Sequence, residues 1–433
     1  MNASRHAAES PPRRLDRGAT PRPPSRLRRW LAWGAGFVAC AGIIGGGHLF
    51  WKSQRCRELE RDCRRARDAG DWNAVARLSA IWAGIAPDDA DPWLYNAQAA
   101  MTQNRLADAD AALAHLPDGD PKTIPGLLER VDLLFGELAQ PFEAVRTCER
   151  ILALDPRTGA AHQRLTFFYA VTLQRIRLIE QARRTIAAGC DIPETYVYLI
   201  GADWITLSNT QSINQQWLAR DPDNELFLVA IARGYMSNRG LDDSEVEGTE
   251  APDDEAPAVV PEHERRLAEY LERFPANLEL LAYFLQKATT KGDAERVVAL
   301  LAQAPPEAQL DNRFWRYKGW LHSIRGESAE AEAAFREALR LHPFDWATQH
   351  QMAGILRKKG QRSDASRMAT LAEAGRQLRK TILSQPDVRS IPPTVLGEMA
   401  AYAANCGDDD VASRLASRVE RRRVGPATVV PGR

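Results

Sequence analysis

The chain has 433 residues, a length that holds about three ordinary domains or one elongated repeat array. Lys and Arg total 57 and Asp and Glu total 57, a balance that excludes a protein coating nucleic acid along its whole length and leaves only local asymmetries of charge to interpret. Six cysteines, none in a C-x-x-C pair, exclude a disulfide-stapled scaffold, a zinc ribbon and a thioredoxin-like redox pair.

Residues 1–29 hold eight arginines against Glu9 and Asp16, with five prolines. They bury too little apolar surface to offset the entropy of ordering and are predicted to be a disordered tail. Residues 30–51, WLAWGAGFVACAGIIGGGHLFW, carry no charge. As a helix they rise about 33 Å, enough for a hydrocarbon core of about 30 Å. Trp30 and Trp33 at one end and Phe50 and Trp51 at the other form an interfacial aromatic belt. The reading is one uncleaved transmembrane helix. Cys40 sits in a loose lipoprotein-type box, with Phe37 where an aliphatic residue is usual, but the apolar run continues past it. The arginine-rich tail places the N-terminus in the cytoplasm and the body beyond the membrane, although residues 52–67 carry seven bases of their own. Gly42 and Gly46 form a G-x-x-x-G face that offers a route to a homodimer. On the following helix face Cys56 and Cys63 lie two turns apart, about 10.5 Å, too far for a bridge within one helix.

From residue 52 to residue 240 the chain reads as a charged stalk running into helical repeats, and the repeats continue to residue 420. In the unit that begins at Asn312, Trp315, Gly319, Gly326, Ala331, Phe335, Ala338 and Pro343 occupy positions 4, 8, 15, 20, 24, 27 and 32. This resembles the tetratricopeptide repeat, in which the small residues at 8 and 20 face each other across a helix pair and the glycine at 15 makes the turn. The register holds in both neighbours, each offset by 34: Leu281, Leu285, Gly292, Val297 and Leu301 before it, and Ala353, Gly360, Ala365, Ala369 and Ala372 after it. Looser units carry Gly70, Trp93 with Ala97, Phe135 with Ala144, and Gly407 with Ala412, while the unit from Gly159 lacks a turn glycine. The resemblance implies an all-α, right-handed superhelical solenoid in which each helix pair buries its apolar face on its neighbours.

One insertion interrupts the array. Residues 241–262 contain nine acids and no base, with Pro252, Pro257 and Pro261, and are predicted to be a disordered loop between the two helices of one repeat. The well-registered repeats occupy 263–383, a proline-rich linker and a last repeat occupy 384–420, and residues 421–433 form a second tail.

The chain contains no G-x-x-x-x-G-K-[ST], H-E-x-x-H or G-x-S-x-G. His342 and His350, eight apart across a helix stop, do not have a ligand spacing. No catalytic residue, metal or cofactor is predicted, and the chain is read as a non-enzyme. The resemblance further implies a concave groove lined by the first helices at positions 2, 5, 9, 12 and 13. Carried onto the two best-registered units, these positions are Arg313, Arg316, Trp320, His350, Arg357 and Lys358. That set is a basic patch with one aromatic, suited to an acidic peptide or a C-terminal carboxylate. Members of the family that clamp a carboxylate use Lys at position 5 and Asn at position 9, where this chain has Arg316 and Trp320. The expected function is a single-pass membrane adaptor of the bacterial-envelope kind, binding protein and no nucleic acid. The alternatives are a structural membrane oligomer and a non-catalytic regulatory subunit of an envelope enzyme complex.

Overall fold

A computed structural model describes residues 50–203, 211–237, 262–386 and 391–424. The predicted tail 1–29, the span up to residue 49 with Gly42 and Gly46, the acidic stretch up to residue 261 and residues 425–433 lie outside the described residues, while residues 421–424 of the predicted tail 421–433 instead continue the last helix. Among the described helices none is long and apolar enough to cross a membrane. The chain divides into two compact units, residues 1–87 and 88–433.

In the first unit, α1 (residues 50–68) and α2 (Trp72–Ile85) form a helix hairpin. Asp71 caps α2 by accepting from the Ala74 amide at 2.9 Å, and Leu59, Cys63, Val75 and Trp82 are buried.

The second unit is also all helix among the described residues. Its pairs are α3 (Ala90–Thr102) with α4 (Leu106–Ala114), α5 (Thr123–Phe135) with α6 (Pro141–Leu154), and α7 (Gly159–Val171) with α8 (Arg175–Ala187). Three further helices, α9 (Pro193–Ile200), α10 (Gln211–Leu218) and α11 (Glu225–Ser237), lead to α12 (Glu262–Arg273), so the acidic stretch lies between α11 and α12. The regular pairs resume as α13 (Leu278–Thr290) with α14 (Ala294–Gln303), α15 (Asn312–Ile324) with α16 (Ser328–Leu341), α17 (Trp346–Lys358) with α18 (Arg362–Leu383), and α19 (Pro393–Asn405) with α20 (Asp409–Val424).

A left-handed residue clocks the repeat. Gly326 has φ +81°, which lets the Glu327 amide turn back and donate to the His322 carbonyl at 3.0 Å, closing the end of α15. The turn glycines read from the sequence, Gly70, Gly292, Gly360 and Gly407, stand at the same place with φ between +72° and +81°. The units without a turn glycine make the same turn with Asn104, Ala139 and Leu173, at φ +55°, +50° and +55°. With Leu173, the Gln174 amide still reaches the Tyr169 carbonyl at 2.9 Å.

Packing within a pair is tightest at one point. A Cβ on Gly319 would stand 2.5 Å from Cδ1 of Phe335, so the small residue at position 8 makes room for the aromatic at position 24.

The larger departure concerns α8 to α10, because contacts there do not stop at sequence neighbours. Ala182, Ile186, Tyr196, Val197, Leu199 and Ile200 share one apolar core with Phe344, Leu378, Met399, Tyr402, Val411 and Leu415. Arg418 pairs with Asp191 across 227 residues at 2.7 Å, and Arg183 with Asp408 at 2.5 Å. From α10, Asn214 donates to the Val171 carbonyl (2.9 Å) and Trp217 to the Phe135 carbonyl (3.0 Å). These side chains satisfy carbonyls at the ends of α5 and α7 that no helical amide can reach.

Candidate functional site

Helices α13, α15 and α17, the first members of three successive pairs, bound a cleft of about 540 Å³. Gln286, Thr289 and Thr290 come from α13, Arg316, Tyr317 and Trp320 from α15, and Trp346, His350 and Gln351 from α17. The opposite wall is α18, which runs for 22 residues where the other first and second helices of these pairs run for 10 to 14. Its last turns bring Arg376, Arg379 and Lys380 to the cleft at i, i+3 and i+4 spacing, with Glu373 one turn earlier. Gly375 makes the close approach possible: a Cβ there would lie 2.5 Å from Oη of Tyr402 and 2.7 Å from Cβ of Trp346. Arg376 donates to both oxygens of Glu373 at 3.0 Å, while Lys380 and His350 are exposed. The cleft is therefore aromatic on one side and basic on the other.

Beneath it lies a buried ionic network. Asp345, 2 % exposed at the start of α17, receives Arg316 (2.7 Å), Asn312 (2.8 Å), the Thr348 hydroxyl (2.5 Å) and, on its other oxygen, the Thr348 amide (3.0 Å). Asp203, which follows α9, receives Asn312 (3.1 Å) and Arg316 (3.4 Å) and pairs with Arg175 of α8. Arg175 also donates to Asn312 at 2.6 Å. Asp311 holds Arg313 at 2.7 Å, and Arg313 pairs in turn with Glu279 of α13. Burial alone would raise the Asp203 carboxyl, but the charges of Arg175 and Arg316 hold it below the usual carboxylate range. Asp311 is burdened by burial in the same way and is held low by Arg313 and Arg175. His342, 1 % exposed and edge-on to Phe344, is pushed down to about 4 by burial, so it is neutral at pH 7.

The six groove residues read from the sequence fall in three places. Arg316, Trp320 and His350 line the cleft together. Arg313 and Arg316 are each only 7 % exposed, and their guanidinium charge is matched by Asp311, Glu279, Asp345 and Asp203 instead of being offered outward. Position 5 of a first helix looks solvent-facing when one unit is considered alone. It becomes interior here because Asp203, three residues beyond α9, and Asp345 enclose its guanidinium. Arg357 and Lys358 are exposed at the end of α17 and do not line the cleft. Arg376, Arg379 and Lys380 went unread, since they sit on a second helix. The signal for them was an uninterrupted helical stretch from Arg362 that outruns the 34-residue register and carries cations on one face.

No protein-family profile and no curated protein matches the chain. Among solved structures it is similar to a tetratricopeptide repeat protein from Parabacteroides merdae, at 13 % identity over 70 % of this chain and 99 % of that one, with a TM-score of 0.25. It is also similar to a chain of the APC/C hetero-tetramer Cut9-Hcn1 (11 % identity, 85 % of this chain and 80 % of that one, TM-score 0.31). A third is the human IFIT1 dimer with PPP-AAAA (12 % identity, 86 % of this chain and 89 % of that one, TM-score 0.30). The helix pairs and their left-handed turns define the repeat. The described chain is an all-helical array of tetratricopeptide-like pairs.

Proposed function

We propose that the chain is a membrane-tethered adaptor that seats an acidic segment of a protein partner in the cleft between α13, α15, α17 and α18. The observation that carries this reading is the cleft itself: the first helices α15 and α17 present Tyr317, Trp320 and Trp346, and the extended α18 faces them with Arg376, Arg379 and Lys380. Aromatic walls supply apolar contact area at low entropic cost, and cations at the rim select the sign of the ligand. The tether is residues 30–51, an uncharged stretch of spanning length with aromatic ends. The adaptor holds its partner at the bilayer and carries out no reaction.

Panning a random peptide library against the full chain in detergent micelles tests the cleft. Acid-rich peptides with an aromatic or aliphatic anchor are expected, and Arg379→Glu with Lys380→Glu should weaken them by about tenfold or more, as loss of charge-assisted contacts does. Selected peptides that bind this variant and Trp320→Ala as tightly as the native chain would overturn the reading. A C-terminal reporter active on only one face of the membrane tests the tether and its orientation.

A further inference from the structure

Charge on this chain is neutral in sum and segregated in sign. Residues 88–155 contain thirteen acids and five bases, a net charge of −8, while residues 346–383 contain eight bases and two acids, a net charge of +6. Pairing among the described residues covers only part of each excess. All five bases of the acidic stretch already have partners within it: Arg105 with Asp108, Lys122 with Asp91, Arg130 with Asp110, Arg146 with Glu143 and Arg150 with Asp118. Glu129, Glu137 and Glu149 remain exposed, with no base at ion-pairing distance among the described residues. In the basic stretch, Lys359 is taken by Glu332, Arg367 by Asp364 and Arg376 by Glu373. Arg357, Lys358 and Arg362, at the turn from α17 to α18, are exposed and have no such partner among the described residues, and none of them lines the cleft.

We propose that the chain docks on a second copy of itself, the acidic surface of α5 and α6 in one copy against the basic α17–α18 turn of the other. With 57 bases against 57 acids, two copies experience no net repulsion at neutral pH, so the segregated surfaces decide how they meet. The contact joins two different patches of one molecule, and two copies satisfy it twice when each supplies one patch to the other. Because the charges are exposed, the association is salt-sensitive and orientation-selective. It is independent of the cleft reading, and it differs from pairing through Gly42 and Gly46, which salt would not loosen.

Sedimentation velocity of the full chain in nonionic detergent tests the proposal. The native chain should self-associate at about 50 mM salt and do so at least tenfold more weakly at about 500 mM, where screening lengths fall to a few ångströms. The variant Arg357→Glu/Lys358→Glu/Arg362→Glu and the variant Glu129→Lys/Glu137→Lys/Glu149→Lys should each lose this salt-sensitive association. An equimolar mixture of the two should regain it, since both contacts of a mixed pair are again opposite in sign. Circular dichroism melts matching the native chain establish that each variant is folded. The single reversals Lys358→Glu and Glu149→Lys repeat the mixing test if a triple variant is not. Association that ignores salt, a native chain that stays monomeric at low salt, or a mixture that fails to recombine would overturn the proposal.

Discussion

Helix α16 buries Ala331, Ala334, Phe335 and Ala338 along one stripe and turns Arg336 and Arg340 outward, whereas the eight-residue α9 buries Pro193, Thr195, Tyr196, Val197, Tyr198, Leu199 and Ile200. The first lies between its own partner α15 and the following α17. The second is enclosed, with α8 beside it and α19 and α20 against it from far along the chain. A helix with one buried stripe carries a readable period, and a helix buried all round loses it. The two regions also differ in what fills them. Carbon and small residues hold α15 against α16, while an Arg–Asp–Asn lattice ties α8 and the residue after α9 to α15 and α17.

The comparison can be broken at the lattice. Asp345→Ala removes the nearer of the two buried carboxylates that Arg316 and Asn312 share and should lower unfolding stability by about 3–5 kcal/mol. The matching loss in the regular stack, Asp118→Ala opposite Arg150, removes a largely exposed carboxylate and should lower the unfolding free energy read from a urea titration by less than about 1 kcal/mol. Equal effects at the two sites would show that the lattice is not a distinct mode of support.

Acid sharpens the same contrast. The folded state holds His342 near a pKa of about 4, against 6.5 for an ordinary histidine. Between those values the unfolded chain takes up a proton that the folded chain refuses, so stability present above pH 6.5 is lost as the pH falls toward 4, by up to about 3 kcal/mol. Burial lowers His162 as well, which acts in the same direction. Urea titrations at stepped pH should show this slope, and His342→Phe should flatten most of it.

Two glycines in one helix pair separate packing from backbone geometry. Gly319→Ala drives a methyl into the ring of Phe335 and should destabilise by about 1–3 kcal/mol. Gly326→Ala meets no atom within 4 Å, and its loss of about 1 kcal/mol comes from the positive φ alone. Thermal melts of the two variants should rank in that order.

The same contrast explains what could be read from the residues in advance. The turn glycines Gly70, Gly292, Gly326, Gly360 and Gly407 were legible because φ > 0 favours one residue type, and they set the register of five helix pairs. Asn104, Ala139 and Leu173 make the same turn without announcing it, since neighbouring contacts impose the conformation that their side chains resist. In the cleft, Trp320 and His350 followed from repeat positions alone. The interior fate of Arg313 and Arg316 did not: Arg313 pairs with Glu279 of the preceding repeat, and Arg316 with Asp203, more than 100 residues earlier. The basic wall of α18 required knowing that a second helix would overrun its normal length, a choice that Gly375 permits by letting Tyr402 and Trp346 come close.

The bridge from Asp191 to Arg418 bears on how the array ends. A stacked array exposes the apolar side of its last pair and ordinarily covers it with a dedicated polar helix, and terminal pairs fray first. Here Tyr196, Val197 and Ile200 cover Val395, Leu396 and Met399 from within the same chain. The consequence appears in native-state hydrogen exchange: amides of α19 should open as rarely as those of α15, and removing the guanidinium at Arg418 should release α20 and α9 together.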